Sequence, residues 1–227
     1  MGVAQKPKQK TRGRGPRKGD GWQAEKSAMT RAAILEAAIE CLVERGYSQT
    51  TTAMIAEYAG VSRGAMMHHF PSRLSVICAV IEYLHEKRLQ EYRELMAGID
   101  TPDAQLTREG IRKSVESAWR YVNLPSFVAY QELLFASRTD PELNTELQKT
   151  EKEVERFFLQ TVKEVFPHWQ EFNPLTLELA NDLVQFCMRG MALSHMASRK
   201  QQRATRMIEH ITDQLTGLYE REMSEKG

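Results

Sequence analysis

From about residue 27 to residue 222 apolar residues recur at three- and four-residue spacing, and no stretch alternates apolar and polar residues as a half-buried strand does. This continuous helical periodicity constrains the fold more than any other feature: the chain is expected to be all-α, with about nine helices. The first helix is expected over about Ser27–Arg45. Ser27 or Thr30 caps it, Ile34, Ala38, Cys41 and Leu42 share a face, and Gly46 suits a left-handed stop. The run Ser48-Gln49-Thr50-Thr51-Thr52 is poor helix interior and good capping sequence. A short helix then runs to about Ala59 with Ile55 and Ala59 inward. Gly60-Val61-Ser62 makes a tight turn, and Ser62 caps a second short helix through His68. Pro71 ends it, and Ser72 caps a long helix over about 73–97.

Gly98 through Pro102 breaks the pattern and marks the expected domain boundary. Five more helices follow. The first covers about 104–123 and carries Ile111, Val115, Ala118, Trp119 and Val122; the second runs from Pro125 to near Arg138. The third opens on Asp140 and Pro141 and carries Leu143, Leu147, Val154, Phe157 and Phe158; the fourth opens on Asn173 and Pro174 and reaches about Ser198. The last spans about 203–222, with Ile208, Ile211, Leu215 and Leu218 as its stripe. The expected division is therefore a disordered arm over 1–26, an N-terminal helical module over 27–88 whose final helix continues to about 97, and a C-terminal helical domain over 99–223.

Charge is unevenly spread. Residues 1–26 hold eight Lys or Arg against Asp20 and Glu25, a balance of +6, so a chain of net charge +1 leaves −5 on the remaining 201 residues. A basic arm on a mildly acidic body points to a polyanionic partner. Cys41, Cys78 and Cys187 have no metal-ligand spacing, and neither a secretory apolar region nor a membrane-length apolar run is present. Three reduced thiols in a cytoplasmic protein are the expectation. No Gly-rich phosphate loop, nucleophile elbow or His-x-x-x-His pair occurs, and His168, His195 and His210 are isolated, so no catalytic site, metal or cofactor is expected. His68 and His69, about 100° apart on a helix, are poorly placed to share a metal.

Two short helices joined by a Gly-containing turn, with a third helix before them, form a helix-turn-helix, here over about 51–70. In Ser62-Arg63-Gly64-Ala65-Met66-Met67-His68-His69 small residues let the helix approach base edges, and Arg63 can reach guanine. Thr51 and Thr52 can present hydroxyl and backbone N–H groups to phosphate. Short helix–Gly–helix turns also occur in ordinary bundles, so this pattern alone does not decide.

Ile34-Leu35-Glu36-Ala37-Ala38, Glu44-Arg45-Gly46-Tyr47, Thr51-Thr52, Ile55-Ala56, Ala59-Gly60-Val61-Ser62, Gly64 and His69-Phe70-Pro71-Ser72-Arg73 together resemble the DNA-binding module of the TetR (tetracycline repressor) family of bacterial transcriptional regulators, continuously over about 27–88. The resemblance implies that Thr51 and Thr52 hold phosphate, that Ser62 and Arg63 open the recognition helix, and that Gly64 and Ala65 face the groove. It also implies that His69 helps hold that helix, and that Ser72 and Arg73 lie at the DNA, Arg73 standing where the family usually has a phosphate-binding Lys. Met67 stands where the family usually has Tyr, which leaves a phosphate contact to His68 and a thymine methyl to Met67. Ala53 replaces a longer, base-reading side chain of some relatives, placing more weight on Arg63 and the arm.

In the arm, Thr11-Arg12-Gly13-Arg14-Gly15-Pro16-Arg17-Lys18 resembles the Arg-Gly-Arg core of AT-hook peptides, with Gly15 intervening before Pro16. Arg12, Arg14, Arg17 and Lys18 are expected at DNA, either in an A·T-rich minor groove or as nonspecific attraction. The family resemblance also implies a small-molecule pocket, for which Trp119, Tyr130, Phe186, Met188, Met191 and His195 are candidates, ordinary core packing being the alternative for each. The 174–198 helix carries Leu175, Leu179, Leu183, Phe186, Gly190 and Leu193 on one face and Leu177, Ala180, Val184, Cys187, Met191 and His195 on another. A helix apolar on two faces is buried on two sides, so the last two helices are expected to form a homodimer interface. The expected function is a repressor that releases palindromic double-stranded operator DNA when an effector binds; the alternative is a weakly specific architectural DNA-binding protein using the arm.

Overall fold

A computed structural model describes residues 20–99, 107–165, 173–194 and 200–224. Among these residues the chain forms nine α-helices and no strand: α1 Asp20–Arg45, α2 Thr52–Tyr58, α3 Arg63–His69, α4 Arg73–Ala97, α5 Arg108–Val122, α6 Pro125–Ser137, α7 Pro141–Val165, α8 Pro174–Leu193 and α9 Lys200–Ser224. The caps are those the sequence offers. Thr51, Ser62 and Asn173 each accept a hydrogen bond from the first turn they precede. Ser72 and Ser75 close a reciprocal capping box on α4, and Asp140 takes the Leu143 amide at 3.1 Å. Gly46 (φ 75°) and Gly60 (φ 63°) supply the left-handed turns after α1 and α2.

Two boundaries differ from expectation by five residues or more. α1 begins at Asp20, so the last seven residues of the segment read as a disordered arm are helical. Those turns bury little: Trp22 is 65% exposed and Met29 69%. They therefore carry no apolar stripe, and rest instead on good helix formers and a Lys26–Trp22 contact at 5.4 Å. α8 stops at Leu193, five residues early, where Ser194 leaves helical backbone angles (ψ 88°).

Apolar burial falls into two clusters. In the first, Ile34, Leu35, Ala38 and Leu42 of α1 meet Ile55 of α2, Met66 of α3, and Val76, Ile77, Val80 and Leu84 of α4. Ala129, Tyr130 and Leu133 of α6, with Leu143 and Leu147 of α7, complete it. The break after α4 thus separates stretches of chain but not their cores. The second cluster is built on Tyr92 and Met96 of α4, Ile111, Val115 and Tyr121 of α5, Phe127 of α6, Phe158 of α7, Met188 of α8 and Ile211 of α9. The first half of α4 lies in one cluster and its second half in the other.

One face of α8 is exposed, with no cover among the described residues: Leu175 (72% exposed), Leu179 (58%), Phe186 (66%) and Leu193 (38%). Among the described residues no helix is long and apolar enough to cross a membrane, and no group of three His, Cys, Asp or Glu is placed to hold a metal. Cys41 is buried, Cys78 and Cys187 half-buried, and none is in a disulfide.

Because α6 completes the first core, Leu133→Ala, at a site with no exposure, is expected to cost about 2–5 kcal/mol. The loss should lower the unfolding temperature of the whole chain in one transition by calorimetry; a separate early transition confined to α6–α9 would contradict the shared core.

Candidate nucleic-acid interface and ligand cavity

α2 and α3 are too short to be stable alone, and their orientation is set by what they bury. Ile55 and Ala56 anchor α2. Met66 (1% exposed) and Phe70 (4%) anchor α3, so residues one position away on the helix must point outward. The outward face of α3 carries Arg63, Gly64, Met67 and His68, all exposed, with Ala65 half-buried beside them. Arg63 makes no hydrogen bond or ion pair with any described residue, so its guanidinium is available to a partner. Gly64 has only the Ser62 hydroxyl, at 3.8 Å, near where a Cβ would stand, which leaves room for close approach. His69 is half-buried, its ring 5.6 Å from His68 and 6.4 Å from Phe70, a position between the helix and its support. Met66, absent from the sequence-based set, is the residue that fixes which face of α3 is presented.

Thr51 is exposed and Thr52 half-buried at the start of α2. The Thr51 oxygen accepts the Met54 amide at 3.2 Å, which leaves its hydroxyl proton free to donate. Ser62 does the same for Ala65 at 3.1 Å, and Ser72 for Ser75 at 3.0 Å.

Arg73 is placed differently from its expected role at phosphate. Its Nε donates to the Thr50 carbonyl at 2.8 Å and its Nη2 to the Tyr47 carbonyl, while the guanidinium lies 4.0 Å from the centre of the Tyr47 ring. A planar fork with two edges committed inside the chain is a brace for the α1–α2 loop. Tyr47 in turn donates its hydroxyl to Asp140 at 3.0 Å. Burial, with the Asp140 carboxylate beside it, raises the Tyr47 phenol above its ordinary value, so it stays a donor. The Leu143 amide and the Tyr47 hydroxyl hold Asp140 below the usual carboxylate range. Wholly buried Thr50 closes the loop, its hydroxyl on the Gly46 carbonyl at 2.8 Å. The loop that sets the start of α2 is thus tied to the start of α4 and to the start of α7. Tyr47 and Thr50 were missed from sequence because their partners lie 93 and 23 residues away.

Arg12, Arg14, Arg17 and Lys18 lie outside the described residues, as does His195 among the cavity candidates.

In the C-terminal half a cavity of about 60 Å³ lies between α4, α5, α8 and α9, with Tyr92, Met96, Ile111, Leu177, Gln185 and Leu215 in its wall. None of the described sequence-based candidates lines it. Tyr130 is buried in the first cluster with Arg88 stacked 3.5 Å from its ring centre. Phe186 faces solvent, Met188 is core, and Met191 packs partly buried against the second cluster. Trp119 borders a separate, open hollow with Arg120, Asn123 and Gln201. The error is one of helix phase: α8 is apolar on two faces, so its sequence does not reveal that Leu177, Ala180 and Gln185 turn inward while Leu179 and Phe186 turn out.

Residues 34–80 match the family model described as bacterial regulatory proteins, tetR family. The match covers α2 and α3 whole, with Met66 and Phe70 inward and Arg63 outward as above. Over these residues the chain is similar to the TetR family. It is 31% identical over 128 residues to the HTH-type transcriptional regulator CymR of Pseudomonas putida, covering 56% of this chain and 61% of that one. With the HTH-type transcriptional regulator TtgR, also of Pseudomonas putida, it shares 45% identity over 62 residues, 27% of this chain and 30% of that one. The alignments thus span less than two thirds of these relatives' length. A structure from Mesorhizobium loti assigned to the TetR family superposes with a TM-score of 0.66 over 85% of this chain and 97% of that one, at 13% identity, a likeness of fold alone.

Two arginines at this surface are expected to fail differently. Arg63→Ala should weaken binding to a cognate DNA site by about 1–3 kcal/mol with the unfolding temperature unchanged. Arg73→Ala should lower the unfolding temperature as well, since it leaves two carbonyls of a part-buried loop without a donor. Anisotropy titrations beside thermal melts distinguish them; equal thermal stability for both variants would return Arg73 to a purely DNA-facing role.

Proposed function

We propose that the chain is a sequence-specific DNA-binding transcriptional regulator, a repressor that leaves a palindromic operator when a small molecule enters its C-terminal domain. The observation that carries this reading is α4: Val76 and Ile77 support the two short helices, and Tyr92 and Met96 of the same unbroken helix wall the cavity. A ligand that displaces Tyr92 or Met96 acts on a rod whose other end holds α2 and α3. A tenfold loss of operator affinity needs only about 1.4 kcal/mol of difference in ligand affinity between the two states.

In this reading 20–88 is the DNA-binding module and 107–224 the regulatory part. Arg63, Gly64, Met67 and His68 meet base edges or nearby phosphate, and Thr51, Thr52, Ser62 and Ser72 meet the backbone. Arg73 contributes by fixing the loop before α2. The basic run that includes Arg12, Arg14, Arg17 and Lys18 adds affinity for the same duplex. The protein works in the cytoplasm, on the nucleoid when bound to DNA. The uncovered face of α8, together with α9, is the surface through which two copies pair. Two-fold symmetry then places the recognition helices about 34–36 Å apart, one turn of the duplex.

Fluorescence anisotropy on the DNA flanking the protein's own gene, against scrambled competitor at physiological salt, tests the reading. Tight binding to one palindromic site, lost on Arg63→Ala, is the expected result; equal binding to scrambled DNA replaces it with the architectural reading. Phe186→Glu should convert dimer to monomer in sedimentation and lower operator affinity at least about tenfold. A variant that remains dimeric would place the interface elsewhere.

A further inference from the structure

Buried polar atoms in a folded protein are nearly always hydrogen-bonded, and buried charges are nearly always paired. Here Nη2 of Arg88, Nε of Arg189 and Oε1 of Gln185 are buried with no hydrogen-bond partner among the described residues. They are not scattered. Gln185 is in the cavity wall and is 7% exposed, and Arg189 follows it by one turn on the same face of α8. Arg88, 2% exposed, precedes the cavity-lining Tyr92 by one turn of α4.

The two guanidiniums face the same place from opposite helices. Arg88 lies 5.6 Å and Arg189 5.7 Å from the centre of the Phe127 ring, and both act on the Tyr121 hydroxyl, to which Arg88 Nε donates at 3.3 Å. Neither is within ion-pair distance of a described carboxylate. Glu91, an acid close enough to act on Tyr121, is hydrogen-bonded by Ser126. Aromatic faces partly compensate a cation, but they leave its edge donors unmet. A positive field with free N–H edges therefore lies one helical turn beyond a cavity whose wall is otherwise neutral: Tyr92, Ser114, Asn181 and Gln185 among apolar side chains.

We infer that the cavity takes an apolar monocarboxylic acid, its apolar body between Tyr92, Met96, Leu177 and Leu215 and its carboxylate at the Gln185–Arg189 end, turned toward Arg88. This rests on the effector reading above and names the chemical class. A neutral ligand would satisfy Gln185 and leave both guanidiniums as they are. A carboxylate accepts from the Arg189 and Arg88 edges at once and supplies the charge the two arginines lack, and it accepts from Gln185 once that side chain turns its NH2 group to where its unpaired oxygen now stands. Tyr92, wholly buried, has its phenol raised by burial and keeps its proton, so it adds no negative charge to the wall. A dianion such as a phosphate monoester is disfavoured by the narrow, largely apolar wall.

The test uses matched pairs, octanoate with octanamide and 3-phenylpropanoate with 3-phenylpropanamide, read by thermal shift and by release of labelled operator from the full chain. Each acid is expected to act at least about tenfold more strongly than its amide. In Arg189→Gln the acid-to-amide ratio should fall toward one; Arg189→Lys, which keeps the charge and is a second route if the Gln variant does not fold, should retain most of it. Amides as effective as acids, or an unchanged ratio in Arg189→Gln, overturn the acid class and leave the effector reading standing. No response to any of the four compounds in either assay overturns both.

Discussion

The rest of the structure depends on the double burial of α4. Val76, Ile77, Val80 and Leu84 of its first half are core of the cluster that holds α2 and α3, and Tyr92 and Met96 of its second half are core of the cluster that surrounds the cavity. No Pro or Gly interrupts it between Arg73 and Ala97, so no hinge along its length absorbs a displacement. A close-packed interior transmits strain rather than dissipating it. Movement at Tyr92 must be accommodated at Val76, or else by unpacking one of the two cores.

A second tie runs parallel to α4. Asp140, Tyr47 and Arg73 connect the start of α7, the loop before α2 and the start of α4 through short polar contacts. α4 and α7 also share the first core through Leu84, Leu143 and Leu147. The loop before α2 is thus held from both sides, and the short helices owe their orientation to the α4–α6–α7 packing as much as to one another.

Much of this is legible in residues close together in the chain. Caps at Thr51, Ser62, Ser72, Asp140 and Asn173 and stops at Gly46 and Gly60 are local chemistry, which is why most helix limits could be read to within a few residues. The start of α1 could not: its first turns bury nothing and have only propensity to announce them. The exposed face of α3 was readable because Met66 and Phe70 mark the opposite side. The cavity was not, because α8 is apolar on two faces and only its neighbours decide which turns inward. Arg73 looked like a contact to phosphate, and its partners Tyr47 and Thr50 became visible only once the chain had brought them together. Residues 34–80 match a family model, while over most of the chain the likeness to solved structures is one of fold more than of sequence.

A cavity of about 60 Å³ is far smaller than the roughly 300 Å³ at which small-molecule sites begin. Any guest must therefore wedge its walls apart, and some of its intrinsic affinity goes into that work. The apparent dissociation constant is raised by the same factor by which the open form is rare. Under the effector reading proposed above, trace amounts of a fitting compound leave the protein unmoved, and a response begins only above a concentration set by the tightness of packing around Tyr92. Loosening that packing, with no change in any group that touches the guest, would lower that concentration.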